Sequence, residues 1–145
     1  MRGSCGVLAV GLALVLTGVA LSAGAQTPDA RSVPVAGGGR YTDVSAVGLA
    51  RMLNKKDFPL INVHIPYEGE IAGTDLFIPF DKMKANLTRL PADKHAKIVL
   101  YCRSGSMSAT AAQTLVNLGY TDVWNLDGGM IAWKAAGHPL LQKAP

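Results

Sequence analysis

The stretch Cys102-Arg103-Ser104-Gly105-Ser106-Met107-Ser108 has the residue types and spacing to do covalent chemistry. It follows the fully apolar run Ile98-Val99-Leu100-Tyr101, which predicts a buried strand ending at Cys102. Beyond it, Ala111, Ala112, Leu115 and Leu118 form one stripe at helical spacing, stopped by Gly119, so a helix starts at a cap on Ser106 or Ser108. In a loop between a strand and a helix start, successive backbone N–H groups can point into one concavity, and the helix N-terminus adds partial positive charge. Gly105 permits the turn that a side chain would hinder. The expected product is an anion cradle with a sulfur at its edge, in which Cys102 is held as thiolate. A thiolate attacks sulfur, phosphorus or metal centres.

The neighbours of Cys102 narrow that choice. No second cysteine stands near it, which removes a C-x-x-C dithiol mechanism, and metal-ligand spacing is absent. A cysteine phosphatase of the C-x5-R kind needs arginine at position 108, where this chain has Ser108. Sulfur chemistry on a persulfide remains, the terminal sulfur being an anion that the same N–H groups can hold. Arg103 is the cation of the loop, turned either toward that anion or toward solvent. Ser104, Ser106 and Ser108 are candidate donors to the anion.

The elements that must position this loop alternate between extended and helical patterns. Ser45 caps a helix carrying Val47, Leu49, Ala50 and Leu53 and ending about Lys55; Leu60 to His64 and Leu76 to Phe80 read as strands. Met83, Leu87 and Leu90 predict a helix over 82–90, closed by Pro91. Val123 to Leu126 is a last strand, and Gly128-Gly129 leads into a helix over Met130 to Ala136 that Gly137 ends. Strands apolar on both faces and separated by helices imply an α/β fold with a parallel sheet flanked by helices on both faces. Ligands bind at the carboxyl ends of such strands, where Cys102 stands.

The first residues carry a different signal. Met1 to Gly6 holds one cation, Arg2, before the apolar run Val7 to Leu21 and the small-residue pattern Ala23-Gly24-Ala25. That order is a secretory signal peptide over 1–25, cleaved after Ala25, which makes the expected location periplasmic or secreted, with no membrane contact after processing. Cleavage takes Cys5 and Arg2, leaving Cys102 as a lone cysteine and lowering the formal charge from +4 to +3. An unpaired thiol in an oxidising compartment calls for a reason, burial or chemistry. The remaining basic residues are scattered and not interleaved with aromatics, so no nucleic-acid surface is expected. Residues 26–40, with Pro28, Pro34 and Gly37-Gly38-Gly39, read as a flexible leader, and 41–141 as the folded domain.

Cys102-Arg103-Ser104-Gly105-x-x-Ser108, followed by Val123-x-x-Leu126-x-Gly128-Gly129-x-x-x-Trp133-x-x-x-Gly137, resembles the single-domain rhodaneses, a sulfurtransferase family. The resemblance covers roughly Tyr41 to Pro139 and is most specific in its second half. It implies a five-stranded parallel sheet between helices and a six-residue active loop, Cys102 to Met107. The cysteine accepts sulfane sulfur from a small sulfur-containing anion, thiosulfate or a persulfide, and passes it to a thiol, cyanide or protein acceptor. No metal or organic cofactor is implied.

The departures bear on mechanism. Many members have arginine where this chain has Met107, which leaves an anionic donor without that clamp. Asn62-Val63-His64 replaces the family's usual Asp-Val-Arg, and Ile65 to Asp75 differs in spacing from the common pattern. His64, Glu68, Glu70 and Asp75 gather there, either for a metal or substrate-orienting role or as a solvated loop with Asn62 and His64 tied into local hydrogen bonds. Trp124, Trp133, Met52 and Met83 read as packing residues and His138 as a surface residue. Two functions follow: a sulfurtransferase cycling through a Cys102 persulfide, or a noncatalytic module of the same fold that binds an anion or a protein.

Overall fold

A computed structural model describes residues 29–143. The expected export signal, with Cys5, lies outside the described residues. Six strands form one sheet in the order β1 (Ala30–Pro34), β2 (Arg40–Val44), β6 (Val123–Leu126), β5 (Ile98–Tyr101), β3 (Leu60–Asn62), β4 (Leu76–Phe77). The five strands from β2 to β4 run parallel, and β1 pairs antiparallel with β2 at the edge. The sheet is therefore mixed, with one strand more than the five expected. Helices α1 (Ala46–Leu53), α2 (Ser106–Asn117) and α3 (Gly129–Ala135) and two short 3-10 helices, Phe80–Lys82 and Lys84–Arg89, complete the chain.

The period-two alternation of β5 divides the core into two layers. Ile98, Leu100 and Cys102 join Ala111, Ala112 and Leu115 of α2 and Met83 on one face. Val99 and Tyr101 join Leu49 of α1 and Met130 and Trp133 of α3 on the other. All four residues of β5 are buried, as a central parallel strand requires. Full burial of each such side chain contributes about 1.5–3 kcal/mol. Cys102 continues the alternation, so its sulfur is committed to the α2 side.

Helix α1 starts as expected: the Ser45 side chain accepts a hydrogen bond from the Gly48 N–H at 3.0 Å. Strands β3 and β4 are shorter than the apolar runs suggest, although Val63 N–H still donates to the Tyr101 carbonyl and Ile78 N–H to that of Asn62.

Two expectations are corrected. Residues 30–34, read as part of a flexible leader, are strand β1, docked because the edge of β2 offers unpaired backbone groups. Arg31 reinforces it through a 2.6 Å ion pair with Asp43, which also accepts from Asn125 of β6 at 2.8 Å. The α-helix expected over 82–90 is instead two 3-10 pieces. Asn86 leaves helical geometry and its side chain donates to the Lys82 carbonyl, offering the backbone a local alternative. Met83 and Leu90 are buried all the same.

Candidate active site

Cys102 lies one residue beyond β5 with 1% of its surface exposed. Its Sγ accepts two hydrogen bonds, from the Gly105 N–H at 3.1 Å and from the Ser108 hydroxyl at 3.3 Å. Both donors come from the start of α2, so the sulfur stands at the positive end of a helix of twelve residues. Neither Ser106 nor Ser108 caps that helix. The N-cap is Gly105 at φ +93°, a left-handed conformation that favours glycine, and this conformation turns its N–H back onto the sulfur. The Ser108 hydroxyl, fully buried, faces both Sγ and the Gly105 carbonyl at 3.2 Å.

The back of the loop is held by α3. Met130 N–H donates to the Cys102 carbonyl at 2.9 Å and Ile131 N–H to the Arg103 carbonyl at 3.0 Å. Gly129 makes this approach possible: a Cβ there would stand 2.4 Å from the Cys102 carbonyl oxygen. The pair Gly128-Gly129 therefore shapes the active loop from a distant part of the chain, a role that its place in the motif hinted at but that no local pattern could define.

The seven residues of the loop separate by direction. Cys102, Gly105 and Ser108 meet. Ser104 and Ser106 are exposed, and Met107 is half-buried against the apolar cluster that also holds Cys102. Arg103 is exposed and directed to Glu68, with Nε 3.4 Å from Oε2. The same oxygen is 3.2 Å from Nε2 of His64. His64 is buried, with 7% of its surface exposed, and neither ring nitrogen makes an aligned hydrogen bond. Glu68, Arg103 and Lys134 share with Met130, Ile131 and Leu140 an open pocket of about 390 Å³ beside the loop. Glu68 was visible in the sequence only as one of several acids, and Lys134 carried no signal at all.

The segment from Asn62 to Asp75 is tied together locally. Asn62 donates to the Gly69 carbonyl and accepts from the His64 N–H, each at 3.0 Å. Its acids disperse: Glu70 goes to Lys143 and Tyr67, and Asp75 to Lys56 and the Leu60 N–H. Among the described residues no three His, Cys, Asp or Glu side chains converge to hold a metal ion. Tyr101, from the opposite face of β5, accepts from the Ile71 N–H at 3.0 Å and lies 2.7 Å from the Thr74 hydroxyl, fixing the far end of this segment. Burial pushes the Tyr101 hydroxyl up to about 12.

Comparison with known proteins matches this arrangement. Residues 45–136 fit the model of the rhodanese-like domain. A sulfurtransferase of Allochromatium vinosum is 34% identical over 94 residues, 63% of this chain and 85% of that protein. A thiosulfate sulfurtransferase GlpE of Coxiella burnetii is 31% identical over 101 residues, covering 68% of this chain and 92% of its own length. The crystal structure of a rhodanese-related protein from Thermoplasma volcanium superposes with a TM-score of 0.60 at 26% identity, over 70% of this chain and 98% of that one. With the cysteine loop, the glycine pair behind it and the parallel sheet all in their places, this chain belongs to the rhodanese-like family.

Proposed function

We propose that the protein is an exported sulfurtransferase that carries sulfane sulfur on Cys102. The observation that carries this reading is the pair of donors, Gly105 N–H and Ser108 Oγ, aimed at a single sulfur at the start of α2. They stabilise negative charge on that sulfur, which is the form that attacks. With thiosulfate, Sγ attacks the outer sulfur, an S–S bond forms to Cys102, and the donor's S–S bond breaks with its electron pair leaving on sulfite. The persulfide's terminal sulfur carries the charge and is then taken by an acceptor: cyanide leaves as thiocyanate, a thiol as its persulfide, and Cys102 thiolate is regenerated. No redox partner or cofactor enters the balance. Arg103, Ser104, Ser106 and Met107 border the path of the donor.

Support for the activity comes from relatives that bear sulfurtransferase names; support for export comes from the basic start, apolar run and Ala23-Gly24-Ala25 pattern. Intact mass after incubation with thiosulfate, polysulfide and glutathione persulfide in turn tests the activity: a gain of one sulfur, lost in Cys102→Ser, is expected. If no donor adds sulfur, the fold acts as a binding module instead. N-terminal sequencing of the exported chain tests processing, with Gln26 as the expected first residue. An intact Met1 chain in the membrane fraction overturns it.

A further inference from the structure

The pocket of Glu68, Arg103, Met130, Ile131, Lys134 and Leu140 touches the cysteine loop through Arg103, and its wall on α3 is the same helix whose N–H groups hold the Cys102 and Arg103 carbonyls. Its volume, about 390 Å³, lies in the range of sites for organic molecules and far exceeds what an inorganic thio-anion fills. Its charges are unequal in kind. Arg103, the cation of the loop, is already paired with Glu68. Nε2 of His64 stands 3.2 Å from the same Glu68 oxygen, without an aligned hydrogen bond. Lys134 makes no ion pair among the described residues, and Met130, Ile131 and Leu140 supply apolar wall.

We infer that this pocket seats the organic part of a carboxylate-bearing persulfide, and that Glu68 is the specificity-determining residue that turns the site away from thiosulfate. The inference rests on the sulfurtransferase reading. A thiosulfate dianion needs a free cation at the loop mouth, and Glu68 takes the one the loop has. A persulfide R–S–SH presents an outer sulfur without that charge, its stem packs along Met130, Ile131 and Leu140, and its carboxylate finds Lys134. Sγ of Cys102 attacks the outer sulfur; the new S–S bond forms as the donor's S–S bond breaks, and the electron pair leaves on R–S⁻, giving Cys102–S–SH. Atoms and charge balance with no further reactant.

The test compares thiosulfate with glutathione persulfide as donors to one acceptor, cyanide, and follows Cys102 persulfide by intact mass. Glu68→Gln releases Arg103 from an exposed ion pair, and its KM for thiosulfate falls by about two- to fivefold, while kcat moves less. Glu68→Asp keeps the wild-type preference. Lys134→Met, at an exposed position on α3, raises KM for glutathione persulfide by about tenfold relative to thiosulfate, and Lys134→Arg restores it. Both effects shrink as salt rises, since the pocket is open. Should Glu68→Gln fail to fold, Lys134→Met alone decides. A wild-type protein that takes sulfur from neither donor refutes the sulfurtransferase reading; one that takes it from both, with a donor preference that neither substitution moves, refutes the role of this pocket.

Discussion

Ser108→Ala is the substitution that isolates what the loop does for its sulfur. The Ser108 hydroxyl has one proton and two acceptors, Sγ at 3.3 Å and the Gly105 carbonyl at 3.2 Å. The carbonyl does not depend on it, because Ala109 N–H also donates there at 3.0 Å. Ser108 is fully buried, so water has no route to replace the lost donor. Removing one oxygen opens little space, and stability should change by less than about 1 kcal/mol. A hydrogen bond to a charged group is worth about 1.5–3 kcal/mol. Because the proton is shared, the lower figure applies, and persulfidation of Cys102 should slow by about tenfold. The assay is the rate of sulfur gain by mass at neutral pH, alongside the alkylation rate with iodoacetamide and the melting temperature. Thr110→Ala, exposed one turn further along α2, is the control and should leave all three unchanged. If Ser108→Ala takes up sulfur at the wild-type rate with its fold intact, the hydroxyl spends its proton on the Gly105 carbonyl and Gly105 N–H alone serves the sulfur.

Other consequences are open to measurement. Gly129→Ala puts a Cβ 2.4 Å from the Cys102 carbonyl oxygen; overpacking of this kind costs about 1–3 kcal/mol, seen in denaturant unfolding, and activity should fall further because α3 can no longer hold the loop. Tyr101 ionises near 12 in the folded chain against about 10 when unfolded, so its neutral form adds roughly 3 kcal/mol. That contribution is whole below pH 10 and is lost as pH rises from about 10 to 12, because the unfolded chain gives up the proton first. Tyr101→Phe should flatten this part of the stability curve relative to the wild type, with tyrosine absorbance marking the titration. Met107→Arg adds a cation beside the loop and should lower the KM for thiosulfate in a salt-sensitive way, by about tenfold; Met107→Leu should not, and equal KM values for the two would place residue 107 away from the donor.

Much of the molecule is legible in the residues alone because the relevant forces are local. The unbroken apolar run Ile98–Tyr101 can only be a strand buried on both faces, and the change to helical spacing after Ser106 places Cys102 at the junction where a sheet of parallel strands exposes its carboxyl ends. Ser45 announces a helix through a hydrogen bond three residues away. Strand β1 is different: its five residues are mostly exposed, Pro34 ends it, glycines follow at 37–39, and it exists because the edge of β2 and the side chain of Asp43 receive it. The division of labour within the cysteine loop is of the same kind. Which of three serines reaches the sulfur follows from the left-handed turn at Gly105, and the direction of Arg103 follows from a carboxylate thirty-five residues earlier, on a loop after β3. Periodicity and capping act over a few residues and can be read along a chain; the pairing of Glu68 with Arg103, and the glycine that lets α3 close on the loop, depend on distances that only the assembled sheet brings about.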